Sequence, residues 1–192
     1  MPRAPPNPSR AKGRYLAITG TPGVGKSSLA RALPRSIWRV EVGELALATG
    51  TGTPRPGRVD VDLPGLGQWV RAHPPRRGVT VVVGHLAHLL PIDQVVLLRC
   101  HPLEVLRRLR RAHRGTPETR RANVASEALD VVLIEALRLG RSVRELDTTR
   151  RGPRSAAQEV ARWSKRPLKP KFGTVDWLAD PRVTDFLLRG PP

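Results

Sequence analysis

The stretch Gly20-Thr21-Pro22-Gly23-Val24-Gly25-Lys26-Ser27 matches the phosphate-loop pattern G-x-x-x-x-G-K-[ST] in full. Such a loop works only between a buried strand and a helix, so it dictates an α/β arrangement. Its flanks agree. Tyr15 to Thr19 reads as a short buried strand, and Ser28 to Leu33 continues as a helix. Glycines allow backbone angles closed to other residues and leave room for phosphate oxygens. Successive N–H groups then form an anion nest at the positive end of a helix. The expected ATP-binding set is Gly20, Gly23, Val24, Gly25, Lys26, Ser27 and Ser28. In it Lys26 reaches the β- and γ-phosphates, and the Ser27 hydroxyl ligates Mg²⁺.

The rest of the chain alternates in the same way. Ile37 to Val40 reads as a strand, and Val42 to Ala48 as a short helix with Val42, Leu45, Ala46 and Ala48 on one side. Residues 49–58 hold Gly, Pro and Thr and read as a loop. Val59 to Leu63 follows, then a short helix over Leu66 to Arg71. Gly78 to Val83 is a β-branched run suited to a strand covered on both faces, and Gln94 to Arg99 is another. Pro102 to Leu109 is expected as a helix with Leu103, Leu106 and Leu109 inward. One long helix is expected from Thr116 to about Leu139, with Ala125, Leu129, Val132, Leu133 and Ala136 as its buried stripe and Gly140 at its end. Ser142 to Asp147 is the last strand, and Ser155 to Trp163 the closing helix. The organisation read from this is a basic, Pro-containing disordered arm over 1–13, a domain over 14–163, and a basic linker and tail over 164–192. Two apolar islands in the tail, Val175 to Leu178 and Val183 to Leu188, are suited to docking on the core or on a partner.

Composition narrows the function classes. No apolar run approaches the ~20 residues of a membrane span, and no signal-peptide pattern opens the chain. Cys100 is the only cysteine, which excludes an intrachain disulfide and suits a reduced, structural thiol in a cytoplasmic protein. The formal net charge is +18, and 29 of the 34 basic residues are Arg. Arg is the side chain for bidentate phosphate contacts. The surplus fits a polyanionic partner such as RNA, and equally a GC-rich genome that writes Arg wherever a cation is tolerated.

Three further groups are candidates for chemistry. His85 follows the C-terminal end of the Gly78–Val83 strand, where open α/β sheets place ligands. His88 makes a His-x-x-His pair with it, but no third ligand is near, so His88 reads as structural. Arg107, Arg108, Arg110, Arg111 and Arg114 cluster after the Pro102 helix, and guanidinium groups over phosphates supply the positioning and charge neutralisation that phosphoryl transfer needs. Asp60 and Asp62 could serve a site or sit as exposed carboxylates on an edge.

Seven ordered segments carry a family likeness: Ala17 to Ser27, Val42 to Ala46, Val59 to Asp62, Gly84 to Pro91, Leu97 to Cys100, Asn123 to Asp130 and Glu145 to Thr149. Over about residues 14–163 the sequence resembles the atypical adenylate kinase family linked to small-ribosomal-subunit maturation, specifically its archaeal members. The resemblance implies a three-layer P-loop nucleoside monophosphate kinase fold with a five-stranded parallel sheet. It implies transfer of the ATP γ-phosphate to AMP with Mg²⁺, and a side ATPase activity. By the same analogy Val42, Gly43, Glu44 and Leu45 belong to the AMP-binding segment. Arg107 to Gly115 forms a short lid whose arginine falls on Arg111 or Arg114, and Asp147 to Thr149 lies near the adenine. Lys26, His85, Arg111 and Arg114 are then the catalytic candidates, with a small-subunit ribosomal protein and rRNA as partners.

One departure stands out. The family's pattern has an acidic residue two positions before the histidine, near Mg²⁺ and AMP; here that position is Val83. Glu44, Asp60 and Asp62 are the candidate substitutes. The missing acid, the charge, the basic arm and the tail favour a competing reading, a ribosome-assembly ATPase switched by ATP. A third reading is a small-metabolite kinase of similar fold.

Overall fold

The computed structural model describes residues 13–189. Residues 1–12 and 190–192 lie outside the described residues, and with them all but Gly13 of the basic arm expected at the N-terminus. The elements in chain order are β1 (Arg14–Thr19), α1 (Lys26–Ala32), β2 (Trp38–Glu41), α2 (Val42–Ala48), β3 (Gly52–Arg55), β4 (Arg58–Val61), α3 (Leu63–Ala72) and β5 (Val79–Val83). After a 3₁₀ turn (Ala87–Leu89) come β6 (Gln94–Arg99), α4 (Pro102–Arg111), α5 (Pro117–Ala128), α6 (Val131–Arg138), β7 (Ser142–Asp147), α7 (Pro153–Trp163) and α8 (Pro181–Arg189).

Five strands form one sheet in the order β2-β5-β1-β6-β7, every neighbouring pair parallel. Successive side chains of a strand face opposite sides, and the Val-rich strands therefore feed two cores. Leu16, Ile18, Val81, Val83, Val96, Leu98 and Leu146 pack under α1, α4 and α7, through Leu29, Ala30, Val105, Leu109, Ala156, Ala157 and Val160. Ala17, Val82, Val95, Leu97 and Val143 pack under α2, α3 and α6, through Val42, Ala46, Leu66, Val70, Leu133 and Ala136. The result is the expected helix–sheet–helix arrangement. Strand β1 is central, and the chain leaves it to one side for β2 and β5 and to the other for β6 and β7. The loop after β1 thus opens at the switch point of the sheet, where such folds bind ligands.

Four local expectations are corrected. Residues 49–58 are not simply a loop: β3 and β4 pair as an antiparallel hairpin, Gly52 opposite Val61, turning at Gly57 with φ 73°. Its Pro and Gly content hid it, and Pro54 is tolerated because this two-stranded ribbon has free edges. Helix α3 begins at Leu63 rather than Leu66, because the Asp62 side chain caps it by accepting from the Gly65 N–H at 3.1 Å. Ala48 is exposed rather than inward. The single helix expected from Thr116 to Leu139 is two, broken at Asp130, whose left-handed φ of 56° ends one helical run and starts another. Leu129 is consequently 50% exposed, not part of a buried stripe.

The break serves a buried charge network. Arg99 ends β6 and is almost fully enclosed. Its Nε donates to Glu127 at 2.9 Å, its Nη1 to Glu145 at 2.5 Å, and its Nη2 to the Asp130 carboxylate and the Glu127 carbonyl. Burial alone would lower the guanidinium pKa, but Glu127, Asp130 and Glu145 outweigh it and hold the pKa above its usual value. The tail is tied to the same network. Thr174 donates to Glu145 through its N–H and its hydroxyl, and Trp177 Nε1 donates to Glu127 at 3.3 Å. Lys171 bridges alongside β7, covering that edge, and α8 buries Val183 and Phe186, the latter against Leu106 and Val124. Among the described residues no helix is long and apolar enough to cross a membrane.

Replacing Arg99 by Met keeps the apolar stem and strands three carboxylates. The expected cost is about 3–5 kcal/mol, read as a lower urea midpoint with an unchanged slope.

Candidate nucleotide site

The loop between β1 and α1 takes backbone angles that favour glycine, with positive φ at Gly20, Gly23 and Gly25. Gly20 has φ 137°, and a Cβ there would lie 2.5 Å from the Leu98 carbonyl oxygen of β6. Gly25, the N-cap of α1, has φ 104° and offers no side-chain cap. The first-turn N–H groups of α1 therefore stay available for an anion. Thr21 anchors the loop from behind: its hydroxyl donates to Glu127 at 2.7 Å, connecting the loop to the Arg99 network. Val24 is buried, and its carbonyl accepts from the Thr148 hydroxyl at 2.7 Å.

Lys26 is folded back on this loop. Its Nζ donates to the carbonyls of Gly20 at 2.7 Å and Thr21 at 3.0 Å. Burial lowers its pKa from 10.5 to about 8; Glu127 and Glu41 pull it up, and Arg114 pushes it down. Ser27 and Ser28 share the first turn of α1, both half-buried.

The arginine cluster divides. Arg114 is the member whose charge reaches Lys26; it is exposed, as is Arg111 at the end of α4. Arg108, not singled out from the sequence, lies over the loop. It donates to Glu104 at 2.8 Å and to the carbonyls of Thr148 at 2.8 Å and Val24 at 3.3 Å. It thereby joins α4, the phosphate loop and the end of β7. Asp147 closes that end, accepting from the N–H of Thr149 at 2.8 Å.

His85 follows β5; partial desolvation and the Lys26 and His88 charges lower its pKa. His88 is buried and engaged at both ring nitrogens, by Thr19 and by Glu135, each at 3.0 Å. The segment Val42, Gly43, Glu44 and Leu45 forms the start of α2, across the cleft from the loop. A Cβ on Gly84 would lie 2.7 Å from the Val42 side chain, so α2 enters pressed against the end of β5.

The three acids considered as substitutes at Val83 are engaged elsewhere. Asp60 pairs with Arg55 and Arg58 on the hairpin, each at 3.0 Å, and Asp62 caps α3. Glu44 accepts from the Glu41 N–H at 3.4 Å. Glu41 itself, missed in the sequence, faces the loop. Its pKa is raised by burial and by Glu44, against the opposing pull of Lys26, the Ser27 hydroxyl and Arg31. The available signal was the pair Glu41 and Glu44, an acid at the N-cap and another three residues on. Among the described residues no three His, Cys, Asp or Glu side chains gather as a metal cage. The donors present, the Ser27 hydroxyl and the Glu41 carboxylate, are hard oxygens and fit Mg²⁺, which takes few protein ligands and completes its shell with phosphate and water.

A family model described as "AAA domain" matches residues 16–130. A Pyrococcus abyssi protein named "Putative adenylate kinase" is 39% identical over 165 residues, spanning 84% of this chain and 90% of the relative. The protein of that name from Thermococcus onnurineus is 35% identical, spanning 91% and 98%. The chain belongs to this family. Among solved structures, the fold is shared with shikimate kinase from Acinetobacter baumannii, with a TM-score of 0.53 and 14% identity over 80% of this chain and 93% of that one. Family membership and the P-loop kinase fold together support nucleotide kinase activity.

The Lys26 shift has a measurable consequence. With a folded pKa of about 8 against 10.5, the free protein has released protons that an unfolded lysine still holds between those values. Stability therefore gains from this group as pH rises through about 8, and a bound polyphosphate reverses the shift. ATP binding at pH between 8 and 9 is expected to take up a proton. Calorimetry in two buffers of different ionisation enthalpy reads it, and Lys26→Met abolishes the uptake.

Proposed function

We propose that this protein is an ATP:AMP phosphotransferase, with residues 14–163 as the catalytic unit and 164–192 as a basic linker and tail. The observation that carries this reading is the juxtaposition of the phosphate loop with the first turn of α2 at one end of the sheet. That geometry sets the segment assigned to AMP beside the phosphate loop, an arrangement that suits transfer between two nucleotides. The name of the archaeal relatives agrees with it.

In this reading Gly20, Gly23, Val24, Gly25, Lys26, Ser27 and Ser28 bind the ATP phosphates. Val42, Gly43, Glu44 and Leu45 line the AMP side. Lys26 leaves the carbonyls of Gly20 and Thr21 and follows the γ-phosphoryl group as charge develops on it. Arg114 closes from the segment after α4 to neutralise the transferring group, with Arg111 at the end of α4 as the alternative lid arginine. Arg108 holds the α4, loop and β7 ends in register. His85 borders the AMP phosphate; in the free protein its pKa is lowered by burial and by the Lys26 and His88 charges. Mg²⁺ on Ser27 would supply charge neutralisation of the β- and γ-phosphates. An oxygen of the AMP phosphate bonds to the γ-phosphorus as the bond to the β–γ bridging oxygen breaks, and two ADP result.

A second reading, an ATPase whose nucleotide state governs contact with rRNA and a small-subunit ribosomal protein, is favoured by the net charge of +18 and by Val83 in place of an acid. Any RNA binding by this surface is expected to weaken steeply with salt, and a flat salt titration by filter binding would exclude the basic surface as its platform.

ADP formation from ATP and Mg²⁺, with and without AMP, separates the two. Strong stimulation by AMP is expected. AMP-independent hydrolysis alone would overturn the phosphotransferase assignment. Lys26→Ala is expected to lower turnover by about 10²–10³-fold while leaving the circular dichroism spectrum unchanged.

A further inference from the structure

We infer that Glu41 is the carboxylate of the divalent-cation site, taking on from β2 the role that β5 cannot fill. This rests on the nucleotide-binding reading of the loop. The argument is one of position and of elimination. Strand β5 ends in Val83, which is buried and has no oxygen to offer. Its neighbour β2 ends in Glu41, and the two residues are register partners in the parallel ladder. A carboxylate at Glu41 therefore stands one strand across from Val83, at the same level of the sheet, on the rim where the phosphate loop sits.

The surroundings agree. Glu41 is half-buried, and Lys26 and the Ser27 hydroxyl, the two polar side chains that the loop motif directs at phosphate and metal, both act to lower its pKa against the larger effect of burial. Glu127, the other carboxylate felt by Lys26, is committed: its two oxygens accept from Thr21, Arg99, Cys100 and Trp177. Asp60 and Asp62 are bound on the hairpin and at the α3 cap.

Glu41 also has a structural task. It caps α2, accepting from the Glu44 backbone while Glu44 accepts from its N–H. That task needs one acceptor oxygen and no charge. A second oxygen remains for a cation or its water, and only the charged form suits that role. The cap in turn holds the carboxylate in place and ties it to the first turn of α2, the AMP side of the cleft. The cation site and the acceptor segment are thereby parts of one short run, Glu41 to Leu45.

The test separates the cap from the cation site. Glu41→Gln keeps an acceptor for the Glu44 N–H and removes the charge. Mn²⁺ binding is followed by electron paramagnetic resonance on the full chain with a non-hydrolysable ATP analogue, and analogue binding is measured separately in EDTA by calorimetry. Glu41→Gln is expected to bind Mn²⁺ about 10–100-fold more weakly, with analogue affinity in EDTA and thermal stability close to wild type. Asp60→Asn is expected to titrate Mn²⁺ as wild type does. Wild-type Mn²⁺ affinity in Glu41→Gln would overturn the inference while leaving the nucleotide reading intact. A wild-type chain that binds no analogue even in Mn²⁺ would overturn the nucleotide reading itself, and the inference with it.

Discussion

A single enclosed guanidinium organises the functional end of this molecule. Arg99 leaves β6 into a space shared by Glu127 from α5, Asp130 from the α5–α6 junction and Glu145 from β7. Burying a cation is costly unless it is paired and fully hydrogen-bonded. Satisfying Arg99 therefore sets the position of three elements at once. Glu127 then reaches Thr21 in the phosphate loop and Trp177 in the tail, and Glu145 reaches Thr174. The loop, the sheet edge and the C-terminal segment are held by one network, so the tail is part of the frame behind the site. Cys100, next to Arg99, is buried there, its thiol pushed up to about 12 chiefly by burial, which makes it inert as a nucleophile.

In front of that frame the loop is built to be filled. Its glycines are imposed by the positive φ at Gly20, Gly23 and Gly25, and at Gly20 also by a 2.5 Å approach to the Leu98 carbonyl oxygen. Its lysine turns inward on loop carbonyls, and its helix has no side-chain cap. Each of these leaves donors or positive charge where an anion can collect them. The opposing wall is α2, pressed on Gly84 and capped by Glu41. Arg108 spans the top, joining α4 to the loop and to Thr148. The loop and the Arg108 span are joined across 84 residues of chain at Val24, and the loop and Thr148 across 124; they converge because the parallel sheet brings all its C-terminal strand ends to one rim.

Family motifs were legible as patterns before their reasons were. Leu97 to Cys100, Asn123 to Asp130 and Glu145 to Thr149 looked like separate signatures, and each contributes charged members to the Arg99 network. Periodicity failed where that network intervened. The apolar spacing from Ala125 to Ala136 suggests one continuous helix, but Asp130 takes a left-handed angle and turns its carboxylate to Arg99, and the stripe changes face. Periodicity also failed at β3 and β4, where a Pro- and Gly-rich hairpin has no buried face to advertise itself. His88 is held at both ring nitrogens, by Thr19 and by Glu135.

By itself the sequence determined the α/β class and the loop with its lysine and serine, because these depend on local spacing and on β-branched runs that only a buried sheet accommodates; the five-stranded parallel sheet was implied by the family resemblance, and strand pairing decided that β1 is central. Tertiary structure alone decided which charges face the loop. Glu41 and Val83 are 42 positions apart in the chain, and only strand pairing makes them neighbours. Asp60 and Asp62, closer to the expected site in pattern, are drawn away by Arg55, Arg58 and a helix cap. The physical reason is that a charge takes the partner that folding brings within reach, and which partner that is follows from strand order, not from spacing along the chain.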